Sequence, residues 1–352
     1  MMFPEEDRTK RLSHQFKNFA EFECHGSSPL YESLSLGISE DQQLLKLAAE
    51  STHLPVPNLL LAAVHYLLLK DPRHGLSRFY PDIAGLGVVS EGALTYFRSF
   101  CDERSDELSS ILKTRLVQTN EVGRSALLLP AFELVSAISG RPLNFIDIGA
   151  AAGLNLLWSR YFFDYGSVTY GRRESQVQIR CELRGKMKPP LSGRFPEVAS
   201  AVGIDLHPLD VRRQDDALWL EALVWPEHTQ RRQLLRAAIE EAKRQSPSLI
   251  EGDALEVLPR VLSSLGDAPA CVYASFTLNQ FSPDSREELQ RLLEAKSVER
   301  ELFFITAGRI ERGEHAEISM ISYSGGVRDE RLLGHCDPHG GWLEWDLAQV
   351  RI

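Results

Sequence analysis

The sequence predicts an α/β protein: an open, Rossmann-like, mostly parallel sheet flanked by helices, with an all-helical region ahead of it. Three observations carry this prediction. From residue 143 onward, short apolar runs alternate with helical stretches, the order expected of βαβ units. One run, Leu143-Asn-Phe-Ile-Asp-Ile148, passes directly into the glycine turn Gly149-Ala-Ala-Ala-Gly153, as a central strand covered on both faces does before its helix. Residues 1–125 read as separate and helical.

In order along the chain, residues 41–49, 57–69, 92–101 and 106–117 carry helical apolar spacing, punctuated by Pro55, Pro57, Pro72 and Pro81. After the first strand and turn, residues 154–164 continue with helical spacing at Leu154, Leu157, Trp158, Tyr161 and Phe162. Residues 165–185 read as an inserted hairpin, and residues 217–244 as a long helical region interrupted at Trp225-Pro226. Residues 249–259 read as a strand end followed by a helix. Residues 270–278 form a fourth buried strand, residues 284–295 an amphipathic helix opened by Ser282-Pro283, and residues 301–307 a fifth strand. Residues 316–325 and 331–345 read as two more strands joined around Gly325-Gly326, for seven in all. Two domains follow, 1–125 and 126–352.

Composition narrows the class. At 352 residues the chain exceeds the roughly 100–200 of one domain. No apolar run reaches the roughly 18–20 residues of a membrane span, since 59–69 is short and carries His65. Residues 1–7 lack the basic-then-apolar character of a signal peptide. Cys24, Cys101, Cys181, Cys271 and Cys336 are scattered singly, against a disulfide framework or zinc knuckle. A net charge of −10 disfavours nucleic acid, whose binding draws on Lys and Arg replacing counterions. A cytoplasmic enzyme without membrane or metal is expected; oligomeric state is not legible.

The turn after the first strand discriminates between cofactors. A dinucleotide fold wants G-x-G-x-x-G, but Ala151 and Leu154 occupy the second and third glycine positions, and no P-loop pattern exists in the chain. Counted as acid-x-Gly-x-small-x-Gly, Asp147, Gly149, Ala151 and Gly153 resemble the first motif of class I S-adenosylmethionine (SAM)-dependent methyltransferases. The resemblance implies that Asp147 lies near the sulfonium or amino group, with the turn and Asn155 along the methionine part. Any parallel α/β protein can also carry such a turn. Gly252-Asp253-Ala254 is similar to the end of the third methyltransferase strand, where Asp253 and the neighbouring Ala254 backbone would meet the adenine; a helix N-cap is the other reading of Asp253. Two residues compete for the ribose hydroxyls. Asp205 ends a short buried strand, unless Gly203 is a helix C-cap. Glu182 ends the alternating run 176–184, which suggests a half-solvated antiparallel strand.

The resemblance extends further. Ser28-Pro-Leu-Tyr31, residues 57–69, Gln118-Thr-Asn-Glu-Val-Gly-Arg124, Gly153-Leu-Asn-Leu-Leu-Trp158, Cys181-Glu-Leu-Arg-Gly185, Ala222-Leu-Val-Trp-Pro-Glu227 and Gly252-Asp-Ala254 together resemble the bacterial family of domain of unknown function 2332, regarded as methyltransferase-like. By analogy the helical first region is a cap that shapes a substrate pocket. In the polar segment 118–124, Arg124 would take the methionine carboxylate and Asn120 or Glu121 the substrate; a buried ion pair is the other reading. Asn279 and Gln280 follow the fourth strand at its carboxyl end, where substrate is expected. His335, Cys336, Asp337 and His339 invite a metal site, but neighbours on a strand point to opposite faces and Pro338-His-Gly-Gly341 reads as a turn. His65 reads as a satisfied core histidine, and Tyr66 and Trp158 as packing.

The expected function is methyl transfer from SAM to a small molecule, which needs mainly alignment of donor and acceptor. If the acceptor must lose a proton, Glu121 or His339 is the base. A non-catalytic protein that binds SAM or a nucleoside-like metabolite is the alternative, and a nucleotide-dependent oxidoreductase a more remote one.

Overall fold

The computed structural model describes residues 5–85, 91–309, 315–325 and 327–347. The chain divides into two compact units, residues 1–119 with 213–233 and residues 120–212 with 234–352. The first division falls six residues before the boundary read from sequence, and residues 213–233, assigned by sequence to the sheet domain, belong to the helical unit.

The first unit is helical. Within residues 1–119 its α-helices are α1 (Glu5–Asn18), α2 (Pro29–Glu40), α3 (Gln42–Ala48), α4 (Val56–Lys70), the short α5 (Pro81–Ala84), α6 (Ala93–Glu103) and α7 (Ser105–Thr114). Their starts follow local chemistry. Ser28 caps α2 by accepting from the Tyr31 amide, and Asp41 caps α3 by accepting from Gln43 and Leu44. α4 is buried along Leu59–Ala63 and onward to Leu68, as an apolar helix on all sides must be.

The second unit opens with a single turn, Val122–Arg124, and α8 (Ser125–Ser139). Together Val122–Ser139 has the length and apolar character of a membrane span, which corrects the sequence reading that no run reaches it; 72% of that window is buried inside the protein. Among the described residues it is a core helix. The strands follow: β1 (Leu143–Ile148), β2 (Phe162–Asp164), β3 (Thr169–Tyr170), β4 (Gln178–Arg180), β5 (Glu182–Arg184) and β6 (Val198–Asp205). The chain then forms α9 (Gln214–Ala222) and α10 (Thr229–Gln245), β7 (Leu249–Glu251), α11 (Ala254–Ser264), β8 (Ala270–Ser275), α12 (Pro283–Lys296), β9 (Leu302–Arg309), β10 (Ala316–Ser324), β11 (Val327–Cys336) and β12 (Trp342–Trp345).

The main sheet has nine strands, ordered β5-β12-β11-β10-β9-β8-β1-β6-β7. From β9 to β7 all neighbours are parallel, while β9 to β12 form an antiparallel meander. The fold is therefore α/β with a large, mostly parallel sheet, but with nine strands rather than seven. Two departures account for the difference. Residues 331–345 break at the turn after Cys336 into β11 and β12, and the run 176–184 splits at Cys181, so that β4 joins β2 and β3 in a separate small sheet while β5 pairs with β12. The expected insertion is thus more than one hairpin. Gly326, half of the turn read between β10 and β11, lies outside the described residues, as do residues 1–4.

Two layers fix β1. On one face Ile146 and Ile148 join Val202, Ile204, Leu258, Leu262, Leu289 and Leu293. On the other, Phe145 packs on Phe132 and Trp158, with Phe132 also 5.1 Å from Tyr273. The segment after the glycine turn is a 3-10 helix, Leu154–Arg160, rather than the helix to 164 read from spacing. It ends early because Phe162 must begin β2, and the Tyr161 hydroxyl ties back to the Leu154 carbonyl at 2.5 Å. Since Phe132 contacts three aromatic rings across this face, Phe132→Ala is expected to lower unfolding free energy by about 3–5 kcal/mol in chemical denaturation. A loss under about 1 kcal/mol would mean the layer is loosely packed.

Candidate functional site

The carboxyl ends of β1, β6, β7 and β8 lie side by side, and the chain order β7-β6-β1-β8 reverses direction between β1 and β8. Open α/β sheets bind ligands at such a reversal. The turn leaving β1 is held tightly. Gly149, Ala151 and Gly153 all have left-handed backbone, with φ of 78°, 50° and 71°; for Ala151 that conformation is uncommon. A Cβ on Gly149 would fall 2.2 Å from the Thr277 Oγ1, so only glycine fits there. The Gly149 amide donates to the Ile204 carbonyl at 2.8 Å, and the Ala151 amide donates to the Asp205 carboxylate at 2.8 Å.

Asp205 is therefore the acid beside the turn. Gly203 belongs to β6 and is not a helix cap. Glu182, its competitor, sits in β5 at the opposite edge of the sheet, paired by its Oε2 with Arg184 at 2.8 Å. The structure does not bring Glu182 to the turn, because the alternating run carrying it is redirected at Cys181. Asp205 also accepts from the His207 amide at 2.9 Å, and the next residue, Leu206, exposes 59% of its surface. Leu206 was not singled out from sequence; the signal present was an apolar residue directly after an acid at a strand end.

Asp147 differs. It is 3% exposed, on the aromatic-lined face of β1 beside Tyr273. Its carboxyl is pushed well above the ordinary value, first by burial and then by the Asp205 charge; a hydrogen bond with Tyr273 and the charge of Arg124 oppose the rise. Asp253 ends the third strand's turn and caps α11, its Oδ1 accepting from the Leu255 amide at 2.8 Å, with Ala254 buried as the helix's first residue. The cap reading of Asp253 thus holds.

The segment 120–124 braces the turn's far side. Asn120 accepts from the Leu154 amide at 3.0 Å, and Asn155 donates to the Glu121 carbonyl at 3.3 Å while accepting from the Ser125 hydroxyl at 2.8 Å. Both asparagines are buried, which ties them to backbone and hydroxyl partners. Glu121, 5% exposed at its side chain, lies 3.4 Å from His339 Nδ1, whose own side chain is 46% exposed. The two residues read as alternative bases are one pair. Arg124 donates through Nε to the Pro338 carbonyl at 2.8 Å, and its guanidinium stacks 4.0 Å above Phe276. Backbone contact is close here as well, since a Cβ on Gly340 would fall 2.1 Å from the Gly123 carbonyl oxygen. The turn carrying His339 is closed by Asp337, whose Oδ2 accepts from the His339 and Gly341 amides at 3.0 and 2.9 Å.

At the end of β8, Phe276 adopts left-handed backbone, φ 62°, and donates its amide to the Ala307 carbonyl at 2.7 Å. Strain of this sort in a bulky residue concentrates at functional positions. Gly308 makes room, since a Cβ there would come within 2.8 Å of the Phe276 ring. Asn279 donates to the Gly308 carbonyl at 3.2 Å, and Asn279 and Gln280 are both exposed at this edge.

Two outcomes test the site's construction. Because Asp147 keeps its proton in the folded protein to a pH well above the ordinary carboxylate value of 3.8, its contribution to stability is present below that value and is lost as pH rises. Asp147→Asn is expected to flatten this decline and to be more stable than wild type near pH 7 in denaturant titrations; a parallel pH profile would refute the buried-acid assignment. Gly340→Ala, at φ 87° against backbone, should cost at least about 2 kcal/mol, read as a lowered melting temperature.

A family model described as an uncharacterized protein conserved in bacteria, domain of unknown function 2332, matches residues 13–345. No curated protein matches the chain.

Proposed function

Because the chain belongs to this family of uncharacterised bacterial proteins, whose description carries no activity, we propose from the site itself that it is a SAM-dependent methyltransferase acting on a small molecule. The observation that carries the reading is the bond between the Asp205 carboxylate and the Ala151 amide, which sets an acid from the second parallel strand against the glycine turn of the first. Asp205 accepts from the Ala151 amide through Oδ2 and from the His207 amide through Oδ1. Vicinal ribose hydroxyls are donors of the kind that a carboxylate at this strand end would take. Exposed Leu206 offers an apolar surface to a purine, and Asp253 stands at the end of the next strand. Bound there, SAM would supply an electrophilic methyl group on its sulfonium.

The chain's own residues supply alignment and a proton acceptor. The bond from Arg124 to the Pro338 carbonyl places the His339 turn beside the end of β8, whose Ser275 carbonyl lies 3.5 Å from Arg124 Nη1. That bond makes Arg124 a brace for this turn. Glu121 orients the half-exposed imidazole, which takes the proton from a hydroxyl or ammonium acceptor. Asn279 and Gln280, exposed on the same sheet edge, would contact that acceptor.

Calorimetry with SAM, S-adenosylhomocysteine and NAD tests this. Saturable binding of the first two and not of NAD is expected, with Asp205→Asn weakening it at least tenfold, or about 1.4 kcal/mol; the asparagine keeps an acceptor for the Ala151 amide, so the turn persists. Glu121→Gln and His339→Ala should leave SAM affinity within about threefold and lower methyl transfer to a metabolite pool. SAM binding without transfer to any acceptor would favour a non-catalytic binding protein, and no binding would sink the proposal.

A further inference from the structure

The insertion between β1 and β6 carries a charge that methyl transfer leaves unused. Residues 160–194 hold eight Lys and Arg against three Asp and Glu, a balance of +5 inside a chain of −10, which leaves −15 for the other 317 residues. The whole-chain charge that counts against nucleic acid is therefore an average over two regions of opposite sign. At physiological salt, exposed charges are largely screened beyond about 8 Å, so an approaching polyanion meets the local sign.

The pairing of the small sheet fixes where these cations stand. Phe162 and Asp164 of β2 lie opposite Gln178 and Arg180 of β4, and Asp164 lies opposite Thr169 of β3. Side chains alternate between faces along a strand, so these five share one face, and Phe163, Ile179 and Tyr170 share the other. That second face is buried, at 0%, 3% and 1% exposure, and it packs on aromatic rings of the insertion itself, with Phe163 6.3 Å from Tyr165 and Tyr170 5.6 Å from Phe195. The first face is outward. The Arg180 side chain is 87% exposed, and Arg173 sets its guanidinium 5.9 Å above the Phe162 ring. Gln178 donates to the Arg173 carbonyl at 2.9 Å, the Ser175 amide donates to the Arg172 carbonyl at 3.0 Å, and the Ser175 hydroxyl donates to the Arg160 carbonyl at 3.1 Å. Four arginines are thereby gathered around one small sheet. Past Cys181 the chain adds Arg184, Lys186 and Lys188, and then Arg194, all exposed.

Few of these charges are answered. Arg160, Arg172, Arg173, Lys186, Lys188 and Arg194 have no carboxylate partner among the described residues, while Arg184 pairs with Glu182 and Arg180 reaches Asp164 only at 3.8 Å. The aromatic face holds the insertion without them, and crowded like charges cost stability. Their chemistry defines what would answer them. Six of the eight are arginine, whose planar fork takes phosphate oxygens in pairs. Exposed Ser167 and Thr169 add hydroxyls of the kind that contact a sugar-phosphate backbone. An anionic membrane asks for apolar side chains to insert as well, but Phe162 is 9% exposed beneath Arg173, and Met187 lies beyond the small sheet on the segment after β5.

We propose that the outward face of this insertion binds the phosphate backbone of a nucleic acid. The test is fluorescence anisotropy of the full chain with a labelled RNA hairpin and the DNA duplex of the same stem, over a series of potassium chloride concentrations. Labelled polyglutamate and phosphatidylglycerol vesicles are the controls. Binding of at least one nucleic acid is expected, about tenfold tighter than that of polyglutamate and weakening with salt by a logarithmic slope of about 0.7–0.9 per phosphate contact. The exposed triple change Arg172→Glu, Arg173→Glu and Arg180→Glu should weaken it at least tenfold and leave the melting temperature unchanged. Reversals outside the insertion, Lys243→Glu in α10 and Arg291→Glu in α12, should leave it within about twofold. The proposal is overturned if neither nucleic acid binds at low salt, if polyglutamate or the vesicles bind as tightly, or if the triple change weakens binding no more than the outside pair. No methyl donor enters the measurement, so its failure leaves the methyltransferase reading standing.

Discussion

The larger unit depends on the burial of β1 on both faces. Every residue of Leu143–Ile148 is buried, and a strand in that position has no side on which to place a solvated charge. Its apolar residues divide between the α11 and α12 layer and the aromatic layer of Phe132, Trp158 and Tyr273. Its two polar residues are absorbed in different ways. Asn144 at the entry accepts from Ser200 at 2.6 Å and donates to the Ala268 carbonyl at 3.0 Å. Asp147 near the exit is driven toward its neutral form by burial, with Asp205 reinforcing the effect.

That constraint divides labour between the two acids. Two carboxylates close together in a poorly solvated place cannot both ionise without cost, and here the environments differ enough to separate them. Asp147 lies inside the sheet with Tyr273, whereas Asp205 stands at the strand end, partly exposed and bonded to two backbone amides. The outward-facing acid stands at the strand end toward the turn, and the inward-facing one is held against Tyr273.

The second organising contact joins segments 214 residues apart. The Arg124 to Pro338 bond, the stacking of Arg124 on Phe276 and the close approach of Gly123 and Gly340 draw the entry to α8, the end of β8 and the turn before β12 together. The left-handed backbone of Phe276 is retained within this clasp, between Arg124 on one side and the space left by Gly308 on the other. The Glu121 and His339 pair is a consequence of the same approach.

Much of this was legible in the sequence wherever one signal was local. The buried run before Gly149, the cap at Asp253, the helix start at Ser282-Pro283 and the turn at 338–341 all follow from residues within a few positions of one another, because capping and turn chemistry act over that range. Membership of the family was likewise carried by short motifs. Only the tertiary structure decided the fate of Cys181, where one alternating run is shared between two sheets, and with it the choice of Asp205 over Glu182 beside the glycine turn. It also cut the segment after Gly153 to a 3-10 helix and assigned 213–233 to the helical unit. Strand partnership and the pairing of Glu121 with His339 depend on contacts between residues far apart in the chain, and spacing within one segment carries no information about which distant segment will complete it.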